Sequence, residues 1–390
     1  MKQRKILMIC STYWNSPIQL GDHHLARKFA QAQWDVAYIS NPISPFHLFA
    51  GVTSDLRDRF NTYRSGGIKD MDGHVWSYVP GTLFAPQNKP FLRSRWIYNY
   101  WQRLTLPNVV KVVSQNGFAE VDVLYFSEPR QAFWLDVIKH KMSVYRVADK
   151  YSSFLVYNRE VQKLERLLAK SVDLVLYTAK NLKCYVDDMG PKRILNLPNG
   201  VNFFHFANGN RHTPDEYKKI QRPIVIYVGS IDYWFDYDVI NYATKSLPEA
   251  SFVIIGPDKL VRKQLIPRSN LYLFGKRSYT EIPSYLYNAD VGIIPFNIAR
   301  YPELVNSINP LKLYEYMACG LPVVATEWEE LKEINSPAIL YRTKEEFVQK
   351  IKDVLFTKPD KASYINFAEK QDWKKRFKLL EDNINMILSS

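Results

Sequence analysis

The chain has 390 residues, which is long enough for two domains of ordinary size and a large buried core. Hydrophobic residues make up 46% and charged residues 23% of the sequence, so a disordered or low-complexity chain is excluded. Lysine and arginine number 52 against 39 acidic residues, and this net charge of +13 indicates a polyanionic partner: nucleic acid, an anionic membrane or a phosphorylated substrate.

The first half alternates short apolar runs with amphipathic patterns. The N-terminal segment is basic and then apolar, but its apolar run is short and no small-residue cleavage site follows, which indicates a first strand rather than a signal peptide. The predicted strands are residues 5–10, 36–40, 121–127, 143–147 and 172–177. The predicted helices are residues 23–33, 157–170 and 179–189.

The second half repeats this rhythm after a polar stretch, 200–222, which we interpret as a linker. The predicted strands are residues 223–229, 251–256, 270–274, 290–295 and 321–325. The predicted helices are residues 237–246, 279–288 and 310–319, and residues 372–388 form a terminal amphipathic helix. No window is long and apolar enough for a membrane-spanning helix.

The alternation predicts an α/β fold with two Rossmann-like domains, each a parallel sheet covered by helices. Such sheets bind ligands at the carboxyl ends of their strands, and two of them facing a cleft suit one donor and one acceptor. A dehydrogenase is disfavoured because no GxGxxG motif follows the first strand. The three cysteines include no close pair, so a disulfide framework or a CxxC metal site is not supported and a reducing cytosol is expected.

The most informative stretch is NSINPLKLYEYMACGLPVVAT, residues 306–326. A polar loop leads into a helix with Lys312 in its first turn and Glu315 three residues later. A helix N-terminus and a lysine suit a diphosphate, and a carboxylate one turn on suits the hydroxyls of a ribose. The alternative is an ordinary surface Lys–Glu pair.

This segment, with YNADVGIIPF at 287–296 before it, PNGV at 198–201 and YVGS at 227–230, resembles the nucleotide-binding half of GT-B glycosyltransferases that use sugar nucleotides. The resemblance implies an acceptor-binding domain over 1–200, a nucleotide-sugar domain over 201–370 and a helix over 371–390 that packs back on the first domain. It implies Ser230 and Ile231 near the phosphate and sugar, Lys276 near the uracil, Phe296 in the donor pocket, and Leu311 beside Lys312 and Glu315.

The first half is similar to the xanthan and teichuronic acid glucuronosyltransferase group, through SPxQLGDHH at 16–24 and YRVAD at 145–149. The resemblance implies that Asp149 is the general base of an inverting transfer; a capping role is the alternative. It also makes Asp22 and His24 candidates for contact with the acceptor or the donor sugar. A helix cap and a packed histidine are equally compatible with those two residues.

Two DxD strings, Asp70–Asp72 and Asp236–Asp238, are of a kind that holds a divalent metal in other glycosyltransferases. Neither follows a convincing strand end. We therefore expect no metal and no cofactor, because Lys312 and a helix N-terminus neutralise the leaving diphosphate.

The charge excess lies in the first half, where residues 1–200 carry 27 basic and 16 acidic side chains, against 25 and 23 in residues 201–390. Between Asp72 and Glu120 there is no acidic residue. Cations and aromatics are interleaved there, which favours contact with an anionic membrane over core packing and over nucleic acid. The residues expected to face the membrane are Lys89, Arg93, Arg95, Trp96, Tyr100, Trp101 and Arg103.

These observations predict an inverting glycosyltransferase of bacterial cell-surface polysaccharide synthesis, peripherally bound to the inner face of the membrane. Its expected partners are a UDP-sugar donor, with glucuronic acid implied as the sugar, and a lipid-linked saccharide acceptor. Nucleic acid is not expected. The alternatives are a retaining GT-B enzyme with another donor, or a non-catalytic membrane- or polyanion-binding module with a degenerate nucleotide cleft.

Overall fold

The structure is a computed structural model that describes residues 3–51, 53–154, 157–257, 261–357 and 359–389. Its internal contacts divide the chain into two compact units. The first unit comprises Met1–Ser16, Gly21–Pro198 and Phe377–Ser390, and the second comprises Pro17–Leu20 and Asn199–Arg376.

The first unit is built on one sheet. Its strands are β1 (Lys5–Ile9), β2 (Asp35–Ile39), β3 (Ile68–Asp70), β4 (Val75–Tyr78), β5 (Glu120–Phe126), β6 (Lys139–Val147), β7 (Leu174–Tyr177) and β8 (Ile194–Asn196). They lie in the order β3-β4-β2-β1-β5-β6-β7-β8, and all neighbours are parallel except the antiparallel pair of β3 with β4. The strand order reverses between β1 and β5, which is where such sheets bind ligands.

Helices cover this sheet and complete its core. They are α1 (Gly21–Gln31), α2 (Ser54–Arg64), α3 (Arg95–Tyr100), α4 (Val109–Val113), α5 (Trp134–Val137), α6 (Arg159–Ser171) and α7 (Lys183–Asp187). Strands such as β1 are apolar and almost fully buried, because helices on both faces exclude water.

The second unit has a smaller sheet that is parallel throughout. Its strands are β9 (Ile224–Val228), β10 (Ser251–Ile255), β11 (Leu271–Gly275), β12 (Val291–Ile294), β13 (Val323–Thr326) and β14 (Ile339–Tyr341). They lie in the order β11-β10-β9-β12-β13-β14, and the order reverses between β9 and β12. The two sheets confirm the predicted α/β class with two Rossmann-like domains.

The helices of the second unit begin in the stretch that the sequence suggested was a linker. They are α8 (Phe203–Ala207), α9 (Tyr237–Ser246), α10 (Val261–Gln264), α11 (Ile282–Tyr287), α12 (Pro302–Asn306), α13 (Leu311–Ala318), α14 (Glu329–Ile334), α15 (Lys344–Thr357) and α16 (Lys361–Glu369). Phe206 and Tyr217 are buried in the core of this unit. Residues 200–222 are therefore an ordered part of the second unit and not a loose linker.

The last helix, α17 (Trp373–Ser389), contributes to both units. In the second unit, the Trp373 backbone N–H donates to the carbonyl of Val201 at 3.0 Å. In the first unit, the Phe377 ring packs edge-on against Phe29 of α1, with 4.9 Å between the ring centroids. Arg4 also donates to Asn385 at 2.6 Å. The apolar stripe of α17 is buried, as its helical spacing indicates.

Candidate active site

The carboxyl edge of the second sheet forms a pocket where the chain passes close to itself. Gly229 follows β9 and Gly256 follows β10, and both line this pocket. A Cβ at position 256 would overlap the Gly229 carbonyl oxygen, and Gly229 itself has a φ of +144°. Only glycine fits these two turns, because the two backbone segments touch and leave no room for a side chain. The absence of side chains also lets a ligand approach the backbone at this point.

The loop before α13 is held by a buried asparagine. Asn309 accepts a hydrogen bond from the Tyr314 hydroxyl at 3.0 Å and donates to Glu330 at 3.0 Å. Its carbonyl accepts from Asn199 at 2.7 Å. Trp328 donates from its indole nitrogen to the Ile308 carbonyl at 3.0 Å. These bonds hold the loop residues Ile308 and Asn309 in place. They therefore fix the position at which α13 begins, and with it the position of Lys312 in the first turn.

Lys312 lies at the reversal point of the sheet. Its Nζ is 5.2 Å from the ring centroid of Tyr227 on β9 and 4.9 Å from that of Phe296 after β12. Cation–π attraction to two rings holds the ammonium group over the strand ends. A side chain at position 229 would meet Lys312 Cε at 2.9 Å. The neighbouring glycine therefore leaves the space that the lysine occupies.

Glu315 lines the same pocket one helical turn further along α13. Burial raises the pKa of its carboxyl group to about 7, against the opposing effect of the Lys312 charge. Among the described residues, none donates a hydrogen bond to this carboxylate in the structure. Its oxygens are thus available to accept hydrogen bonds from the hydroxyl groups of a ligand.

The remaining residues expected at the donor site contribute in different ways. Lys276 lines the pocket and is exposed. The Ser230 carbonyl accepts from the Tyr227 hydroxyl at 2.6 Å, which orders the turn after β9. Ile231 and Phe296 are buried in apolar clusters, and the Phe296 ring contacts the Lys312 ammonium group. Leu311 is the first residue of α13.

Arg277 also lines this pocket, although the sequence did not single it out. It donates to Glu216 at 2.7 Å, to the Tyr285 hydroxyl at 2.9 Å and to the Phe274 carbonyl at 2.6 Å. Glu216 lies 61 residues before Arg277 in the chain. Tyr285 lies only 8 residues after it but belongs to no recognisable motif. Sequence patterns offered no signal for this arginine.

In the first unit, Asp149 follows β6 at the carboxyl edge of the sheet and is half-buried. The segment before it is fixed, because the Thr178 hydroxyl donates to the Ala148 carbonyl at 2.6 Å. Burial lowers the pKa of the Arg146 guanidinium, but Tyr125, Asp22 and, to a smaller extent, Asp149 together raise it above its ordinary value. A carboxylate placed here, on a rigid strand end, suits proton transfer to or from a ligand at this edge.

Asp22 and His24 are both buried in α1. The Asp22 carboxylate accepts hydrogen bonds from the hydroxyls of Tyr125 at 2.7 Å and Ser127 at 2.6 Å, and it pairs with Arg146 at 3.2 Å. Both partners in this ion pair are almost completely excluded from solvent. Asp22 thus ties α1 to β5 and β6, and the structure gives it an internal role rather than a surface for sugar contact.

The predicted membrane-facing residues are exposed with one exception. Trp101 is fully buried, donates to the Arg130 carbonyl at 3.1 Å and packs against Phe133. The interpretation of Trp101 as a membrane contact is therefore wrong, because its ring fills the core of the first unit. The exposed members are Lys89, Arg93, Arg95, Trp96, Tyr100 and Arg103.

The first aspartate of each DxD string caps a helix or turn. Asp236 is the N-cap of α9 and accepts from the backbone of Val239 at 3.0 Å. Asp70 accepts from the Met71 backbone at 2.6 Å and from the Trp14 indole at 2.7 Å. These bonds account for both residues as local structural groups.

Residues 222–356 match the family model of glycosyl transferases group 1. Together with the two Rossmann-like sheets, this match identifies the chain as a glycosyltransferase of the GT-B fold. Residues 8–178 match the model of the N-terminal domain of the glucuronosyltransferase GumK. The chain is therefore a GT-B glycosyltransferase with a GumK-like N-terminal domain, which confirms the resemblance found in its motifs.

Individual relatives are distant in sequence. The chain is 23% identical over 318 residues to the putative teichuronic acid biosynthesis glycosyltransferase TuaH of Bacillus subtilis, covering 75% of this chain and 79% of TuaH. Among solved structures it resembles Anabaena HepE in complex with UDP and glucose, with a TM-score of 0.68, 14% identity, and coverage of 98% of this chain and 100% of HepE. The sucrose-phosphate synthase of Thermosynechococcus elongatus also has a TM-score of 0.68, with 15% identity and coverage of 99% and 100%.

In the described ranges, the structure contains no helix with the length and apolar character needed to cross a bilayer.

Proposed function

We propose that this glycosyltransferase transfers glucuronic acid from UDP-glucuronic acid to a lipid-linked saccharide, with inversion at the anomeric carbon. The observation that carries the donor half of the proposal is the Lys312–Glu315 pair beside Gly229 and Gly256 at the reversal point of the second sheet. The GumK model and the similarity to TuaH support the sugar and a role in bacterial cell-surface polysaccharide synthesis. The similarity to HepE, whose structure was solved with UDP and glucose, supports a uridine nucleotide as the nucleotide part of the donor.

In the proposed reaction an acceptor hydroxyl oxygen attacks C1 of the donor sugar. A new C1–O bond forms, the bond from C1 to the diphosphate oxygen breaks, and the hydroxyl proton passes to the Asp149 carboxylate. UDP leaves with the electron pair of the broken bond. Lys312 and the N-terminus of α13 stabilise the negative charge that develops on the diphosphate. Glu315 accepts hydrogen bonds from the ribose hydroxyls, while Lys276 lies near the uracil.

Calorimetric titration with UDP tests the donor site. We expect the affinity of Lys312→Ala for UDP to fall about 10- to 100-fold, because charged hydrogen bonds contribute about 1.5–3 kcal/mol. The matched control is Lys344→Ala, whose Nζ lies over the Tyr242 ring at 4.9 Å but on α15. An unchanged affinity in Lys312→Ala, or an equal loss in Lys344→Ala, would remove Lys312 from the site.

The pKa of Glu315 predicts how donor binding depends on pH. Its carboxyl group is protonated below a pH of about 7 and ionised above it. Because a carboxylate accepts stronger hydrogen bonds than a carboxylic acid, the affinity for UDP rises between pH 6 and pH 8. Titrating UDP into the wild type and into Glu315→Gln at several pH values measures this contribution. Parallel pH profiles for the two proteins would contradict the assignment of Glu315 to the ribose.

The first unit supports peripheral attachment to the inner face of the membrane. Exposed cations at Arg93, Arg95 and Arg103 stand beside exposed rings of Trp96 and Tyr100, a composition that suits anionic headgroups. The Arg103 guanidinium lies over the Tyr100 ring at 5.0 Å, so cation and ring form one surface. This surface supports the proposal of a lipid-linked acceptor, because such an acceptor lies at the membrane.

A further inference from the structure

The pairing of β9 with β12 ends before β9 does. In the described part of the chain, the last residues paired between these strands are Ile226 and Gly292, although β9 continues to Val228. A crevice opens outside the strand ends at such a reversal point. The backbone N–H and C=O groups at the end of β9 therefore need another partner, because buried groups of this kind are costly to leave unpaired.

The hydroxyl group of Tyr316, on α13, is that partner. The Val228 backbone N–H donates to this hydroxyl at 2.6 Å, and the hydroxyl donates to the Val228 carbonyl at 3.2 Å. Tyr316 is fully buried. Burial raises the pKa of its hydroxyl well above the ordinary value, so the group stays protonated and can donate as well as accept. One side chain thus pairs both backbone groups of the last residue of β9.

Gly292 on β12 makes room for the Tyr316 ring. A Cβ at position 292 would lie 2.5 Å from Cδ2 of the ring. The ring belongs to the core of the second unit, where closely packed neighbours resist displacement. The glycine and the tyrosine therefore fit each other at the point where the two strands separate.

Tyr316 connects two parts of the candidate donor site. Its partner Val228 directly precedes the turn at Gly229, which lines the pocket. In the sequence of α13, Tyr316 follows Glu315 and lies four residues after Lys312. The hydroxyl group therefore ties the helix that carries the two charged residues to the turn that faces them.

We propose that Tyr316 is a positioning residue of the donor site, whose hydroxyl group sets the separation between the turn after β9 and helix α13. The inference rests on the proposed function and adds that the backbone at Gly229 faces the diphosphate. A ligand that spans the turn and the helix depends on their separation, whereas a ligand that contacts the helix without reaching the turn does not. UDP is a ligand of the first kind and uridine is one of the second.

Titration of UDP and of uridine into Tyr316→Phe tests the proposal. Phenylalanine keeps the ring but removes the hydroxyl, so Val228 loses both hydrogen bonds and the turn can shift relative to the helix. The affinity for UDP is expected to fall about tenfold, whereas the affinity for uridine changes about twofold at most. A residue that served stability alone would not separate these two ligands.

The matched control is Tyr217→Phe, which also removes a buried tyrosine hydroxyl from the core of the second unit. The Tyr217 hydroxyl donates to the Tyr285 carbonyl at 3.3 Å and does not bond to the turn after β9. This variant is expected to bind UDP as the wild type does.

Gly292→Ala disturbs the same contact from the other side, because its methyl group displaces the Tyr316 ring. It too is expected to weaken UDP binding about tenfold. Combined with Tyr316→Phe it should add little, since both substitutions act through the same hydroxyl group. Additive losses in the double variant would contradict this shared mechanism.

Equal affinities of Tyr316→Phe and Tyr217→Phe for UDP would overturn the proposal. So would equal losses for UDP and uridine in Tyr316→Phe, because they indicate a general loosening of the unit. UDP titration of the wild type separates these outcomes from failure of the proposed function. A wild-type protein that binds no UDP contradicts the donor site itself, and this inference with it.

Discussion

Replacing Asp149 with asparagine is expected to reduce the rate of sugar transfer about 10³-fold while leaving the affinity for UDP unchanged. Asparagine has nearly the same shape but cannot take a proton, and removal of a general base typically costs 10²- to 10⁴-fold in rate. Lys312 and Glu315, which we propose bind the nucleotide, belong to the second unit, whereas Asp149 belongs to the first. The loss should therefore appear in kcat and not in UDP binding.

The measurement is a transfer assay with UDP-glucuronic acid, paired with calorimetry. Asp136→Asn is the control, because Asp136 is an exposed aspartate on α5 of the same unit. Turnover by Asp149→Asn at the wild-type rate would exclude a base at this position. The anomeric configuration of the product, determined by NMR, decides between inversion and retention, and retention needs no such base. A panel of other UDP-sugars tests the choice of donor.

Replacing Asp22 with alanine is expected to lower the free energy of unfolding by about 3–5 kcal/mol. The substitution leaves the Arg146 guanidinium buried without its anionic partner and removes the acceptor of two hydroxyl groups, those of Tyr125 and Ser127. Removing one member of a buried ion pair costs this much because the remaining charge cannot return to water. Urea denaturation of both proteins measures the difference.

The control for this prediction is Asp187→Ala, which breaks an exposed i,i+4 pair with Lys183. Its stability should change little, because solvent screens exposed ion pairs. Arg146 precedes Asp149 by three residues on the same strand end, so Asp22→Ala should also slow transfer in the protein that remains folded. Equal stability of Asp22→Ala and the wild type would show that Arg146 finds another partner.

The regular elements were largely predictable. Every predicted strand is present, because buried parallel strands are apolar throughout and end at glycine, proline or polar residues. The sequence analysis does not predict four strands of three or four residues each, which are β3, β4, β8 and β14. The polar composition of residues 200–222 predicts a linker, but it gives no sign that Phe206 and Tyr217 are buried in the core of the second unit.

The candidate donor site was visible in the sequence where its parts are close together in the chain. Lys312 and Glu315 lie on one helix face by their spacing alone, and Asp149 directly follows a strand. Arg277 was not visible, because its importance depends on contacts with Glu216 and Tyr285. Trp101 was misjudged, because an aromatic residue among cations has the same composition in a core as at a surface.

The sequence by itself determined the α/β class, the strand end that Asp149 follows, the helix that carries Lys312 and Glu315, and the basic character of the first half. Those properties depend on periodicity and on neighbours within one or two turns. Only the tertiary structure decided that Asp22 pairs with Arg146 and that Trp101 is buried. Each of these depends on segments far apart in the chain, which packing brings together and local sequence does not encode.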